Sequence, residues 1–64
     1  MDNIQGYEVR EADLRPRGWH TLSRHEDYYP AVSAAITNSS KDGIVYVVRV
    51  FTDGQEELAW PKAV

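Results

Sequence analysis

The residues that could bind a metal ion gather in one short stretch of the chain. His20, His25, Glu26 and Asp27 offer imidazole and carboxylate donors there. The two histidines are five residues apart, which is not the four-residue helical spacing of a zinc protease, and the chain has no cysteine. We therefore assign these side chains structural roles, and we predict no metal site and no cofactor.

Residue types used in nucleophilic catalysis are present, but they do not occur in a catalytic sequence motif. A serine nucleophile needs a neighbouring base and an orienting acid, and no serine here lies in a Gly-x-Ser-x-Gly sequence. Glu56 and Glu57 are adjacent, so in a strand they would point to opposite faces. The four glycines are scattered at turns and form no phosphate-binding loop. We predict that the protein is not an enzyme.

Arginines and an aromatic residue in the N-terminal half suggest a second kind of chemistry. Arg10, Arg15, Arg17, Trp19 and Arg24 could present cations and a stacking surface to a nucleic acid strand. Acidic residues lie close by and would offset this positive field. The favoured interpretation is that Arg15 and Arg17 keep a turn soluble while Trp19 packs in the core. Nucleic-acid binding by this hairpin is the alternative function.

Length and composition place the chain among small folded domains. It has 64 residues, a formal net charge of −3 and no cysteine. The acidic balance argues against affinity that comes from phosphate neutralisation. The lack of cysteine fits a reducing compartment, no apolar run is long enough to span a membrane, and the start does not resemble a signal peptide. We expect one domain over residues 1–64, located in the cytoplasm.

Two strands and a turn are predicted before any helix. Residues 1–5 are expected to form a loose lead-in, and residues 6–11 alternate apolar and charged side chains as a half-buried strand does. Residues 15–18 contain proline and glycine at positions typical of a turn. Residues 19–24 then predict a second strand. It places Trp19, Thr21 and Ser23 on one face.

A helix is predicted after Asp27, which can act as its N-cap. Pro30 falls within the first turn, where proline is tolerated. Residues 38–43 end the helix, with Asn38 or Gly43 as the left-handed closing residue. The predicted apolar stripe recurs at helical spacing, and two small residues widen it so that the helix can approach a sheet closely. The stripe consists of Tyr28, Val32, Ala35 and Ile36, and the widening residues are Ala31 and Ala34.

Residues 44–60 predict a hairpin whose first strand is apolar on both faces. Asp53 and Gly54 form a two-residue loop signal, which would pair Val50 with Glu57, Val48 with Ala59 and Val47 with Trp60. The same register pairs Thr52 with Gln55, Phe51 with Glu56 and Arg49 with Leu58. A strand of this composition is usually buried on both sides, but one short helix covers only one. Pro61 ends the second strand.

These elements predict a two-layer α+β fold in the order β-β-α-β-β, with one helix on a three- to four-stranded, mainly antiparallel sheet. We expect a non-catalytic module that binds a protein partner, or a second copy as a homodimer, through its surplus apolar face or edge and its acidic hairpin. The expected contact residues are Tyr46, Arg49, Phe51, Glu56, Glu57 and Trp60. In size and charge alone, the chain resembles the inhibitors that phages and mobile elements make against host enzymes or defence complexes.

Overall fold

A computed structural model describes residues 3–13, 18–39 and 43–61 of the chain. The elements are β1 (Ile4–Asp13), β2 (Gly18–His25), α1 (Tyr28–Thr37), β3 (Gly43–Phe51) and β4 (Glu56–Trp60). The strands form one antiparallel sheet in the order β2-β1-β3-β4. This arrangement confirms the predicted α+β fold. Within the described ranges, no helix is long and apolar enough to cross a membrane.

The two N-terminal strands belong to the same sheet as β3, with β1 between β2 and β3. β1 pairs with β3 along nearly its whole length, with Val9 opposite Val47. β1 begins at Ile4, so the prediction of a loose lead-in was wrong for Ile4 and Gln5, which the β1–β3 pairing recruits into the sheet. Arg15 and Arg17 lie outside the described residues.

The core forms where α1 lies on the sheet. Val9 and Val47 are 0% exposed and pack with Ala31, Ala35 and Ala59. Because alanine is small, the helix backbone can approach the sheet closely, as predicted. This contact also settles which sheet face the helix covers.

The predicted apolar stripe is correct except at one residue. Tyr28, Val32 and Ala34 pack against the core, but Ile36 is 58% exposed. Ile36 follows the fully buried Ala35, and one residue is a rotation of about 100° in an α-helix. That rotation carries Ile36 to the flank of α1.

The helix begins and ends close to the predicted residues, with different capping. Asp27 is the N-cap but makes no side-chain capping hydrogen bond, and Pro30 lies in the first turn. Asn38 closes α1, since its backbone N–H and its side-chain amide both donate to the Ala34 carbonyl, at 3.0 and 2.7 Å. The prediction that Asn38 or Gly43 closes the helix in a left-handed conformation was wrong, because Asn38 has φ −96° and Gly43 starts β3.

The β3–β4 hairpin has a three-residue loop. The Gly54 N–H donates to the Phe51 carbonyl at 3.0 Å, the Phe51 N–H donates to the Gln55 carbonyl at 2.9 Å, and Gly54 has φ +90°. These are the features of a type I turn followed by a left-handed glycine bulge. The predicted two-residue loop was therefore wrong by one residue.

The longer loop shifts β4 against β3. Val50 pairs with Glu56, Arg49 with Glu57 and Val48 with Leu58, in place of the predicted pairs. A second irregularity between Val47 and Val48 restores the predicted pairing of Val47 with Trp60. Because strand side chains alternate between faces, a one-residue shift moves Leu58 to the side of the sheet away from α1. Ala59 and Trp60 pack on the helix side.

Candidate protein-binding face

The sheet surface opposite α1, here called the open face, is the candidate functional site. Val9 and Val47 point to α1, so their neighbours along each strand point the other way. The open face consists of Glu8, Arg10, Ala12, Trp19, Thr21, Arg24, Ile44, Tyr46, Val48, Val50, Glu56 and Leu58. No helix or second sheet within the described ranges packs on it.

Large apolar side chains on the open face are exposed to solvent. Trp19 and Ile44 flank Ala12 in one cross-strand row, and each is 58% exposed. Leu58 lies beside Val48 towards the other end of the sheet and is 54% exposed. Exposed apolar side chains therefore lie towards both ends of the open face, on β2, β3 and β4.

Arg10 occupies the middle of this surface and is only 6% exposed. Its Nε and Nη2 both donate to Glu8 Oε1, at 3.1 and 2.9 Å. Its Nη1 and Nη2 donate to the two carboxylate oxygens of Glu56, at 3.0 and 2.7 Å. The guanidinium also lies over the Trp19 ring, 4.4 Å from its centroid. Arg10 thus ties β1 to β4 across β3 and positions Trp19.

Hydrogen bonds shift the pKa values of these charged groups. Burial alone would raise the pKa of Glu8, but donors from Arg10, Arg24 and Thr21 outweigh it and the pKa lies below its ordinary value. The hydrogen bonds from Arg10 lower the pKa of Glu56, and those to Glu56 raise the pKa of Arg10. All three groups are therefore charged at neutral pH.

The charges of the open face balance one another. Two arginines, Arg10 and Arg24, face two glutamates, Glu8 and Glu56. The formal charge of the face is zero, whereas the whole chain carries −3. The excess negative charge therefore lies elsewhere on the molecule.

The residues predicted to bind a partner do not form one surface. Tyr46 and Glu56 lie on the open face, whereas strand alternation places Arg49, Phe51 and Glu57 on the helix side. Trp60 packs against the core on the helix side and is half-buried.

Arg49 belongs to a structural cluster. It forms an ion pair with Glu57 and lies 5.7 Å from the centroid of the Tyr7 ring. The neighbouring Tyr7 hydroxyl and the charge of Glu57 raise its pKa. Glu57 is paired with Arg49 and Glu56 with Arg10, so arginines neutralise two of the negative charges that the sequence places on the hairpin.

The residues of the nucleic-acid alternative are only partly described. Arg15 and Arg17 lie outside the described ranges, and Trp19 and Arg24 both lie on the open face. The expectation that Trp19 packs in the core was wrong, because its ring covers Arg10 on the outer surface. Arg24 Nε lies 3.4 Å from Glu8 Oε2, so it too faces a carboxylate.

Arg10, Ile44 and Leu58 lie on the open face but were not among the predicted contact residues. Leu58 was assigned to the wrong face by the two-residue loop, and Arg10 was weighed only as a cation for nucleic acid. The signal available was the spacing of Glu8 and Arg10, which share one face of a strand.

The two histidines weighed as potential metal ligands in the sequence have different partners in the structure. His25 Nε2 lies 2.9 Å from Ser23 Oγ, whereas His20 lies opposite Glu11. Within the described ranges, the one group of metal-binding residue types is Glu11, Asp13 and His20.

Comparison with known proteins gave no match to a family model, a curated protein or a solved structure.

Proposed function

We propose that this protein is a non-catalytic binding module that recognises a protein surface through its open face, and that a second copy of the chain supplies that surface. The observation that carries the proposal is the exposure of Trp19, Ile44 and Leu58 on a sheet face that no described element covers. Large apolar side chains left exposed on one uncovered face are typical of interaction sites.

The size of the open face suits a small dimer interface. Neighbouring strands are about 4.8 Å apart and each residue adds about 3.3 Å, so the face measures roughly 15–20 Å by 25–30 Å. Two such faces would bury about 1,000 Å² in total, near the lower limit for a specific interface. Two sheets packed at about 10 Å would form a small β-sandwich. We expect a dimer with a dissociation constant in the micromolar range.

The charge balance of the open face favours a second copy over a nucleic acid. A symmetric dimer places the same surface on both sides of the interface, so an unbalanced charge would repel itself. Here the arginines are already matched by glutamates on the same face. Nucleic-acid binding instead needs cations that are free to neutralise phosphates.

A non-catalytic role is also the simplest account of the described histidines. The hydrogen bond between Ser23 and His25 has the geometry of a nucleophile and its base. No carboxylate within the described ranges forms an ion pair with His25 that could orient it. The nearby cleft, which includes His25, has a volume of about 250 Å³. That is smaller than an ordinary substrate pocket of about 300–1,000 Å³.

For the biological setting, we propose a cytoplasmic inhibitor of the kind that phages and mobile elements direct against host enzymes or defence complexes. The small size of the chain, its acidity and its lack of cysteine support this setting. The dimer proposal does not depend on it.

Sedimentation equilibrium tests the dimer with Leu58→Glu and a matched control. Leu58 is 54% exposed in one copy, so the variant should fold but place a charge inside the interface. We expect the wild type to dimerise and Leu58→Glu to weaken dimerisation about 100-fold or more. The control is Ile36→Glu, which makes the same change at a residue that is 58% exposed on the helix side. It should dimerise like the wild type.

Two results would overturn this proposal. One is a wild-type monomer at several hundred micromolar. The other is dimerisation that Leu58→Glu leaves unchanged, which would place the contact elsewhere. A wild-type monomer that binds single-stranded nucleic acid at low salt would favour the alternative function instead.

A further inference from the structure

A second group of functional side chains lies on the helix side of the sheet, at the end where β1 finishes and β2 begins. Glu11 and Asp13 are two residues apart on β1, so both point to the same face. His20 on β2 lies directly opposite Glu11. Its Nε2 is 3.4 Å from Glu11 Oε1, and its Nδ1 is 3.3 Å from Asp13 Oδ2. One donor atom from each residue lies within 4.8 Å of the other two.

We propose that Glu11, Asp13 and His20 bind a divalent transition-metal ion of the Zn²⁺ class. Zn²⁺ takes histidine nitrogen and carboxylate oxygen at about 2.0–2.2 Å, so donors at a tetrahedral site are about 3.4 Å apart. The distance between His20 Nε2 and Glu11 Oε1 already has this value. Asp13 Oδ2 lies beside the other ring nitrogen, Nδ1, so an ion held between Nε2 and Glu11 requires the partly exposed Asp13 side chain to rotate towards it. Water would occupy the fourth position.

The donor set distinguishes between ions. Mg²⁺ and Ca²⁺ prefer sites made of oxygen, whereas imidazole favours zinc and its neighbours in the first transition row. One imidazole with two carboxylates therefore selects Zn²⁺, and Mn²⁺ more weakly, over Mg²⁺.

Gly43 supplies an independent structural observation. It lies on β3 opposite Asp13, and a Cβ at this position would be 2.9 Å from Glu11 Cγ and 3.1 Å from the Ala12 carbonyl oxygen. Both distances are too short for an ordinary contact, so the glycine leaves the space in which the Glu11 side chain lies. Glu11 is held half-buried there, with 17% of its side chain exposed, and its carboxylate points to His20. The Glu11 donor is thus placed before any ion arrives.

This site is independent of the proposed dimer. Glu11 and Asp13 alternate with Arg10 and Ala12 along β1, so the metal site and the open face lie on opposite sides of the sheet. Either proposal can fail without the other.

Zinc titration against a competing chromophoric chelator tests the site in the untagged protein. We expect one Zn²⁺ per chain with micromolar affinity, and at least a tenfold loss of affinity in His20→Ala. The matched control is His25→Ala, which removes the chain's other histidine from the same strand and should bind zinc like the wild type. Gly43→Ala removes no donor but should also weaken binding, because it displaces Glu11.

A measurement on the wild type alone covers the case in which a variant fails to fold. Substoichiometric Mn²⁺ is paramagnetic and should broaden the NMR signals of the His20 ring before those of the His25 ring. Mg²⁺ at the same concentration should not displace it. The proposal is overturned by the absence of zinc binding up to millimolar concentration. It is also overturned by binding that His20→Ala leaves intact, or by equal broadening of both histidines.

Discussion

Replacing Arg10 with alanine tests whether the buried guanidinium holds the open face together. The substitution removes the hydrogen bonds to Glu8 and Glu56 and the cation that lies over Trp19. It leaves the carboxylate of Glu8, which has only 18% of its side chain exposed, without its main partner. A largely buried charge in that position is costly because it has lost most of its water and keeps only the Thr21 hydroxyl and the exposed Arg24 as partners.

The expected loss of stability follows from these contacts. Net hydrogen bonds to charged groups are worth about 1.5–3 kcal/mol when buried, and those to Glu8 fall towards the lower value because part of the group meets water. Stacking on an exposed aromatic ring adds about 0.5–1 kcal/mol. The bonds to Glu56 contribute little, since 48% of its side chain is exposed. We expect Arg10→Ala to lower the free energy of unfolding by about 2–3 kcal/mol, or the Tm by about 10–20 °C.

Urea denaturation followed by circular dichroism measures this change. The matched control is Arg24→Ala, because Arg24 contacts the same Glu8 carboxylate but has 77% of its side chain exposed. It should cost less than about 0.5 kcal/mol. Adding Glu8→Ala to Arg10→Ala should recover part of the lost unfolding free energy, because it removes the carboxylate that Arg10→Ala leaves without its main partner. If Arg10→Ala costs no more than Arg24→Ala, the guanidinium does not organise this face.

Acid should destabilise the wild type through the same cluster. The folded-state pKa values of Glu8 and Glu56 lie below 4.5, so their stabilisation is present above pH 4.5 and is lost as pH falls through the lowered values. Unfolding free energies measured from pH 7 to 3 should fall less steeply in Arg10→Ala, and parallel curves would contradict this assignment. In the core, Val47→Ala should cost about 2 kcal/mol because it leaves a cavity where no solvent reaches. Ile36→Ala removes more atoms from an exposed position and should cost less than about 0.5 kcal/mol by the same denaturation assay; equal losses would contradict the core assignment.

Local sequence was sufficient to predict the kinds of element and their order. Alternation in β1, the apolar run in β3, and Pro30 in the first turn of α1 are signals that neighbouring residues carry. Such signals reflect side-chain periodicity and backbone preference, which need no distant partner. The prediction that one sheet face would be left without cover also followed from the shortage of residues after a single helix.

Strand pairing decided the register and the faces. Asp53 and Gly54 favour a turn, but the turn contains a third residue because Phe51 pairs with Gln55. That single residue moved Leu58 onto the open face, since strand side chains alternate with a period of two.

The two candidate sites depend on the tertiary structure in the same way. Arg10 meets Glu56, 46 residues further along, only because β1 and β4 both flank β3. His20 meets Glu11 and Asp13 through the β1–β2 pairing, whereas its sequence neighbours Glu26 and Asp27 lie outside the group. The sequence by itself determined that the chain makes one helix and a sheet with apolar side chains on both faces. Only the tertiary structure decided which side chains share a face, because a face is set by strand pairing between segments that are distant in the chain.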